Sequence, residues 1–194
     1  MSDMRANADE LRKLINRENT AVVIWDVQHM LVNSIFNKEQ FLKSTDYLIE
    51  QSRSKGLPLF FTRITPLPDR FESLARKVAF KRSWGDIKPE AFELYFKPKQ
   101  DETVFYKHTA SIFIGTPFEL MLNNAGIKNI AFAGIATEIG IESSARDALN
   151  RGFLPIVLED CVSSADKEAH ERSIKNMSNL LVVTSSSEFI NALS

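Results

Sequence analysis

Short apolar runs recur along this chain, and most are followed by a stretch whose apolar residues fall three or four apart. The first run, AVVIWD at 21–26, is apolar until it closes on an acid. Residues 38–56 then place Phe41, Tyr47, Leu48 and Ser52 at roughly helical spacing and stop at Gly56. LPLFFTR at 57–63 reads as a strand with Pro58 near its start, and TVFYK at 103–107 reads as another. TPFELMLNNAG at 116–126 predicts a helix with Pro117 in its first turn and Gly126 as its terminator. Three more strands are predicted at 129–134 (NIAFAG), 153–160 (FLPIVLED) and 180–184 (LLVVT), with helices over 138–151, 166–178 and 185–193.

Apolar strands alternating with amphipathic helices imply βαβ units and a parallel sheet buried on both faces. Right-handed crossovers put helices on both sides of it, giving three α/β/α layers in a single domain, 1–194. Two parts stand outside the alternation. The polar stretch 1–19 is an N-terminal helix or extension. The section 64–102 is long, weakly periodic and rich in Arg, Lys, Phe and Pro. Such an excursion is a lid, a binding loop, an oligomer contact or plain surface decoration.

Ligands of open parallel sheets bind beyond the carboxyl ends of the strands, near the point where strand order reverses. Here the first strand ends in Asp26, followed by Gln28, and the second in Arg63. The third ends in Lys107, the fourth runs into GIATEIG, and the fifth ends in Asp160 and Cys161. An acid, a lysine and a helix N-terminus therefore converge on one edge. Singly, Asp26 also reads as a helix cap and Lys107 as a solvated strand end; their convergence marks the site.

Composition narrows the function classes. The chain has 194 residues, 44% of them apolar and 25% charged, with a formal net charge of −1. That balance gives no basic footprint for nucleic acid. No apolar run approaches the roughly 20 residues that span a bilayer. The first twenty residues are too polar for a secretory signal, so the expected location is cytoplasmic. The one cysteine, Cys161, excludes an intramolecular disulfide or a Cys-rich metal site and is expected to be a small buried side chain.

Three stretches together resemble the isochorismatase-like hydrolases, the cysteine hydrolase superfamily, over roughly 20–193. AVVIWDVQ is similar to that family's opening strand ending in Asp-x-Gln. VFYKHTASIFIGTPFELML is similar to its lysine, Ser/Ala-Phe and Gly-Thr before a helix. GIATEIGIESSARDALNRGF is similar to its nucleophile turn. The resemblance implies a six-stranded, mainly parallel, Rossmann-like sheet in order 3-2-1-4-5-6, and a homo-oligomer, dimer or larger. It makes Asp26 the catalytic acid/base with Lys107 beside it, and puts Gly140 where the nucleophilic cysteine belongs. It also implies a non-proline cis peptide before Ala136, and an oxyanion hole from the N–H groups of Ala136 and Gly140. Gln28, Arg63, Ala136, Thr137 and Glu138 are the expected substrate contacts, with Arg70 and Arg82 as further candidate carboxylate clamps.

Two departures shape the expected chemistry. Glycine carries no side chain to form an acyl-enzyme. Ser143, Ser144 and Thr137 lie near the turn, but no histidine base is evident beside them, and capping or packing is their competing role. After the second strand, TRITPLPDRFESLARK lacks the histidines with which nicotinamidases hold a metal. His29, His108 and His170 lack ligand spacing, so no metal and no cofactor are expected. Isochorismatases also carry glycine at the nucleophile position and cleave a vinyl ether, which a positioned acid can start by protonating carbon. Burial beside Trp25 would raise the pKa of Asp26 and Lys107 would lower it. This chain, however, has Glu138 where those enzymes carry a histidine, and its turn looks like an amidase turn with the thiol deleted. Two readings follow. One is a hydrolase of a small carboxylated metabolite with Asp26 as general acid/base, vinyl ether hydrolysis being one such reaction. The alternative is a catalytically silent small-molecule-binding protein.

Overall fold

The structure, a computed structural model, describes residues 4–80 and 88–193. The described residues form one sheet of β1 (Thr20–Trp25), β2 (Leu59–Ile64), β3 (Thr103–Lys107), β4 (Asn129–Ile135), β5 (Leu154–Ser163) and β6 (Val182–Thr184). Every neighbouring pair is parallel, and the order is β3-β2-β1-β4-β5-β6, as expected. The helices are α1 (Ala8–Leu11), α2 (His29–Val32), α3 (Lys38–Ser54), α4 (Leu74–Phe80), α5 (Phe118–Asn124), α6 (Glu142–Asn150), α7 (Lys167–Met177) and α8 (Ser186–Ala192).

The side-chain alternation of a strand sorts β1 between two cores. Val22 and Ile24 join Leu11, Phe41, Leu48, Ile49, Phe189 and Ile190 of α1, α3 and α8. Ala21, Val23 and Trp25 join Phe118, Leu122, Ala145, Ala148, Ile174 and Met177 of α5, α6 and α7. Both faces are therefore covered, which is why the strands read as continuous apolar runs. The N-terminal stretch takes part as well: Leu11 and Ile15 are buried, and Arg5 pairs with Glu159 at 2.7 Å.

Three elements differ from their sequence expectation. Pro117 stays outside α5 as its cap, and Gly126 ends that turn at φ +70. The helix expected from 138 begins as a π-helical turn, Thr137–Ile141, before α6. The third difference moves two residues away from the sheet edge. β5 shifts register against β4 between Phe132 and Gly134 and continues to Ser163, so Asp160 and Cys161 lie within the strand. Asp160 accepts hydrogen bonds from Ser186 N (2.7 Å) and Oγ (2.6 Å) at the start of α8. Cys161 is buried, and burial pushes its thiol pKa well up.

β1 and β4 pair at their carboxyl ends through Trp25 and Gly134. A Cβ on Gly134 would lie 2.0 Å from the Trp25 carbonyl oxygen, at a φ of +134 that a side chain does not adopt. Gly134→Ala is therefore expected to cost more than about 3 kcal/mol, lowering Tm by roughly 6–12 °C or more. Gly56→Ala is the control: its φ is +70 and nothing lies within 4 Å, so about 1–2 kcal/mol is expected. Thermal unfolding of the two variants checks the difference.

Candidate active site

From β1 the chain order runs outward in both directions, so the carboxyl ends of β1 and β4 frame the switch point of the sheet. A cavity of about 380 Å³ opens there, within the range of small-molecule sites. In a shallower hollow of about 600 Å³ beside residues 35–40 and Lys43, the charged side chains, Lys38, Glu39 and Lys43, are all exposed, so the chemistry favours the smaller space.

Asp26 is the first residue past β1 and has φ +48, unusual for a residue with a side chain. That turn sets its carboxylate between two neighbouring strands. Oδ1 accepts from Thr62 Oγ1 of β2 at 2.5 Å, and Oδ2 accepts from Lys107 Nζ at the end of β3 at 2.5 Å. Both members of the ion pair are buried, at 3% and 1% exposure. Lys107 Nζ also donates to the Thr109 carbonyl at 3.2 Å and lies 3.8 Å from the centre of the Trp25 ring. Burial raises the pKa of Asp26 even against the attraction of Lys107, and burial likewise lowers that of Lys107. Both shifts favour the neutral pair, with one proton shared between carboxyl and amine.

The other wall is the turn after β4. The peptide bond between Ile135 and Ala136 is cis. The N–H of Gly140 donates to the Ala136 carbonyl at 3.0 Å, so it is engaged within the turn rather than directed at a ligand. Ala136, Glu138 and Gly140 line the cavity. Glu138 Oε1 accepts from Ser164 Oγ at 2.7 Å, while its buried Oε2 has no partner among the described residues. The space beyond Gly140 is not empty. A Cβ built on it would meet Trp25 Nε1 at 2.0 Å, Cε2 at 2.4 Å and Cζ2 at 2.8 Å. The backbone of Gly140 is not in the left-handed region, so contact with the indole, rather than backbone strain, opposes a side chain there.

Several expected contacts lie elsewhere. Gln28 does not line the cavity. It is fully buried and braces three segments, accepting from Ile64 N (2.9 Å) and donating to the carbonyls of Ile64 (3.2 Å) and Phe92 (2.8 Å). Arg63 faces away because Thr62 and Ile64 take the site side of β2; it pairs with Glu93 at 2.8 Å and lies over Tyr106. Thr137 is buried outside the cavity lining, and His170 Nδ1 stands 2.8 Å from its Oγ1. A histidine does therefore accompany this hydroxyl, which the sequence spacing had hidden. Burial lowers the pKa of His170. Ser144 is a packing residue, its Oγ accepting from Ile112 N at 3.3 Å. Arg70 lies over Phe71, and Arg82 is outside the described residues.

The cation that the sequence analysis missed is Arg76 on α4. It lines the cavity, donates to the His108 carbonyl, and is 3.6 Å from Glu72. Met30, Leu31, Ile64, Ile135 and Ile139 make the remaining wall largely apolar. His108 lines the same space, with Nδ1 at 2.8 Å from the Thr65 carbonyl. Among the described residues, no group of three or more His, Cys, Asp or Glu is placed to hold a metal ion.

Residues 20–189 match the isochorismatase domain model. The chain belongs to the isochorismatase family. An uncharacterized isochorismatase family protein, YecD, from Escherichia coli O157:H7 is 30% identical over 186 residues, covering 92% of this chain and 98% of that protein. A ureidoacrylate amidohydrolase, RutB, from Acinetobacter baylyi is 33% identical over 122 residues, covering 61% of this chain and 47% of its own. A cysteine hydrolase from Pseudomonas syringae pv. phaseolicola 1448A shares the fold, with a TM-score of 0.84 at 18% identity over 92% of this chain and 93% of that one.

In this isochorismatase-family site, the buried pair makes a signed prediction. Asp26 is raised from 3.8, so its contribution to stability is lost as pH rises from 3.8 through the raised value; Lys107 is lowered from 10.5, so its contribution is lost as pH falls from 10.5 through the lowered value. Lys107→Met removes the attraction that lowers Asp26 and raises its pKa further. The folded variant then keeps a proton that the unfolded chain has lost. A raised pKa contributes stability below the unfolded value that is lost as pH rises through the folded one. Between the pH at which native Asp26 gives up its proton and the higher pH at which the variant's does, the variant is expected to lose about 1.4 kcal/mol per pH unit relative to the native protein, or roughly 3–6 °C in Tm per unit. Thermal melts of both proteins from pH 5 to pH 8 check the slope.

Proposed function

We propose that this isochorismatase-family hydrolase acts on a small carboxylated molecule by proton transfer from Asp26, without a covalent thiol intermediate. The observation that carries this reading is the buried Asp26–Lys107 pair beside the cavity, held at 2.5 Å with Asp26 raised and Lys107 lowered. An acid that holds its proton above the ordinary carboxylate range is what a vinyl ether requires. Asp26 would protonate the terminal vinyl carbon, leaving an oxocarbenium ion and the Asp26 carboxylate, which Lys107 stabilises. Water adds to the cation and returns a proton to Asp26. The hemiketal then collapses to a carbonyl compound and an alcohol. Arg76 supplies positive charge for a substrate carboxylate, and the apolar wall suits its hydrocarbon part. Ala136 and Glu138 are the remaining proposed contacts.

The relative named as a ureidoacrylate amidohydrolase suggests an amide as the competing substrate class. In this chain a thiol route has no nucleophile, because Trp25 fills the space beside Gly140. The same indole favours the second reading, a protein that binds such molecules without turning them over.

Native protein is to be assayed against isochorismate, ureidoacrylate and nicotinamide, with Asp26→Asn as control. The carboxamide keeps the shape but cannot give up the proton, so turnover is expected to fall about 10²–10⁴-fold. Nicotinamide is expected to remain intact. Amide turnover that survives Asp26→Asn would overturn the roles assigned to the pair. Binding without turnover of any compound would favour the silent reading.

We also infer that the protein is a homo-oligomer. Phe71, Leu74 and Val78 are 68%, 77% and 64% exposed at spacings of three and four, on the same excursion that brings Arg76 to the cavity. Light scattering at micromolar concentration is expected to give at least twice the 22.0 kDa chain mass. A strict monomer would refute this.

A further inference from the structure

We propose that the indole N–H of Trp25 donates a hydrogen bond to an oxygen of the cavity's ligand, taking the place of the backbone donor at residue 140. The proposal rests on the reading above that the cavity receives a small carboxylated molecule, and adds to it a group that recognises the ligand. Three observations support it.

The first is position. A Cβ on Gly140 would coincide with the nitrogen edge of the indole, 2.0 Å from Nε1. The indole nitrogen therefore occupies the direction in which a side chain of residue 140 would project, and both residues line the cavity. The second is valence. Indole Nε1–H is a donor with no acceptor capacity, and a buried one ordinarily has a partner. Trp25 is 1% exposed and lines the cavity; its Nε1 forms no hydrogen bond with the described residues and is not among their fully buried unpaired side-chain atoms, so it keeps some solvent access. The third is what the turn itself lacks. The Gly140 N–H is bonded to the Ala136 carbonyl at 3.0 Å and is not directed at a ligand.

The neighbours fix the class of ligand atom. Lys107 Nζ is 3.8 Å from the indole centre and 2.5 Å from Asp26, so one amine contacts both the indole and the acid. Arg76 brings a guanidinium to the same lining. A donor-only N–H in a cavity that also holds this cation favours a carboxylate or carbonyl oxygen.

Benzoate is a suitable probe, since it pairs a carboxylate with an apolar ring. The chain has two tryptophans, so the indole signal missing from 15N spectra of Trp25→Phe identifies Trp25 in the native protein. On titration with benzoate, the Trp25 indole proton is expected to move downfield and saturate. Trp25→Phe keeps a ring beneath Lys107 but no donor, and is expected to bind benzoate about 10- to 100-fold more weakly. Should Trp25→Phe lose stability, the titration of native protein decides by itself. Benzoate binding that moves backbone signals of Lys107 and Ala136 but leaves the indole signal in place would overturn this proposal and leave the site reading standing. Failure of benzoate and of every assayed compound to bind at millimolar concentration would overturn both.

Discussion

The indole of Trp25 lies where any side chain at residue 140 would have to go, and the site is arranged around that contact. Three neighbours are shaped to it. Gly134 admits the Trp25 carbonyl, Gly140 admits the nitrogen edge of the ring, and Lys107 lies against its face. The ring itself is held by the core that α5, α6 and α7 build on one side of the sheet. Interiors are close-packed, so a bulky rigid side chain at a strand end is not displaced without cost. Lys107 in turn holds Asp26, and the acid is thus tied through one lysine to a packed aromatic ring.

That burial governs the electrostatics. A carboxylate and an ammonium removed from water are each disfavoured, and their attraction only partly compensates. Transfer of the proton from amine to carboxyl relieves both charges at once, in line with the opposite directions of the two pKa shifts. Thr62 supports the arrangement by donating to the second carboxyl oxygen while accepting from the Asp26 N–H at 3.0 Å. The sheet positions all of this because β1, β2 and β3 are neighbours in register, so that three successive strand ends meet.

Much of this was legible in the chain. Strand runs and helix spacings located the sheet, because a parallel sheet needs apolar residues on both faces. Asp26 and Lys107 were legible because they close such runs. Arg76 was not, since it lies in a weakly periodic stretch where no strand end marks a direction toward the site. Arg63 was misjudged because strand alternation turns it away once Thr62 faces Asp26. Gln28 looked like a substrate contact, but its amide has one acceptor and one donor group, which bond the Ile64 N–H and the carbonyls of Ile64 and Phe92. The pairing of Thr137 with His170 joins residues 33 positions apart, which no local spacing reveals. The register shift in β5, which withdraws Asp160 from the edge, has no signal in an apolar run.

The absence of a thiol and the presence of the indole are therefore one structural fact, seen from two positions. Glycine at 140 is not merely a lost nucleophile; it is the residue that Trp25 permits. A cysteine placed there would collide with Nε1, although the backbone angles would accept it. Any return to thiol chemistry would need a smaller residue at 25 as well, and that change would also remove the ring against which Lys107 lies. The environment that sets the protonation of Asp26 would change with it. A side chain at residue 140 and the present placing of the Trp25 indole thus exclude one another sterically, and the two positions can change only together.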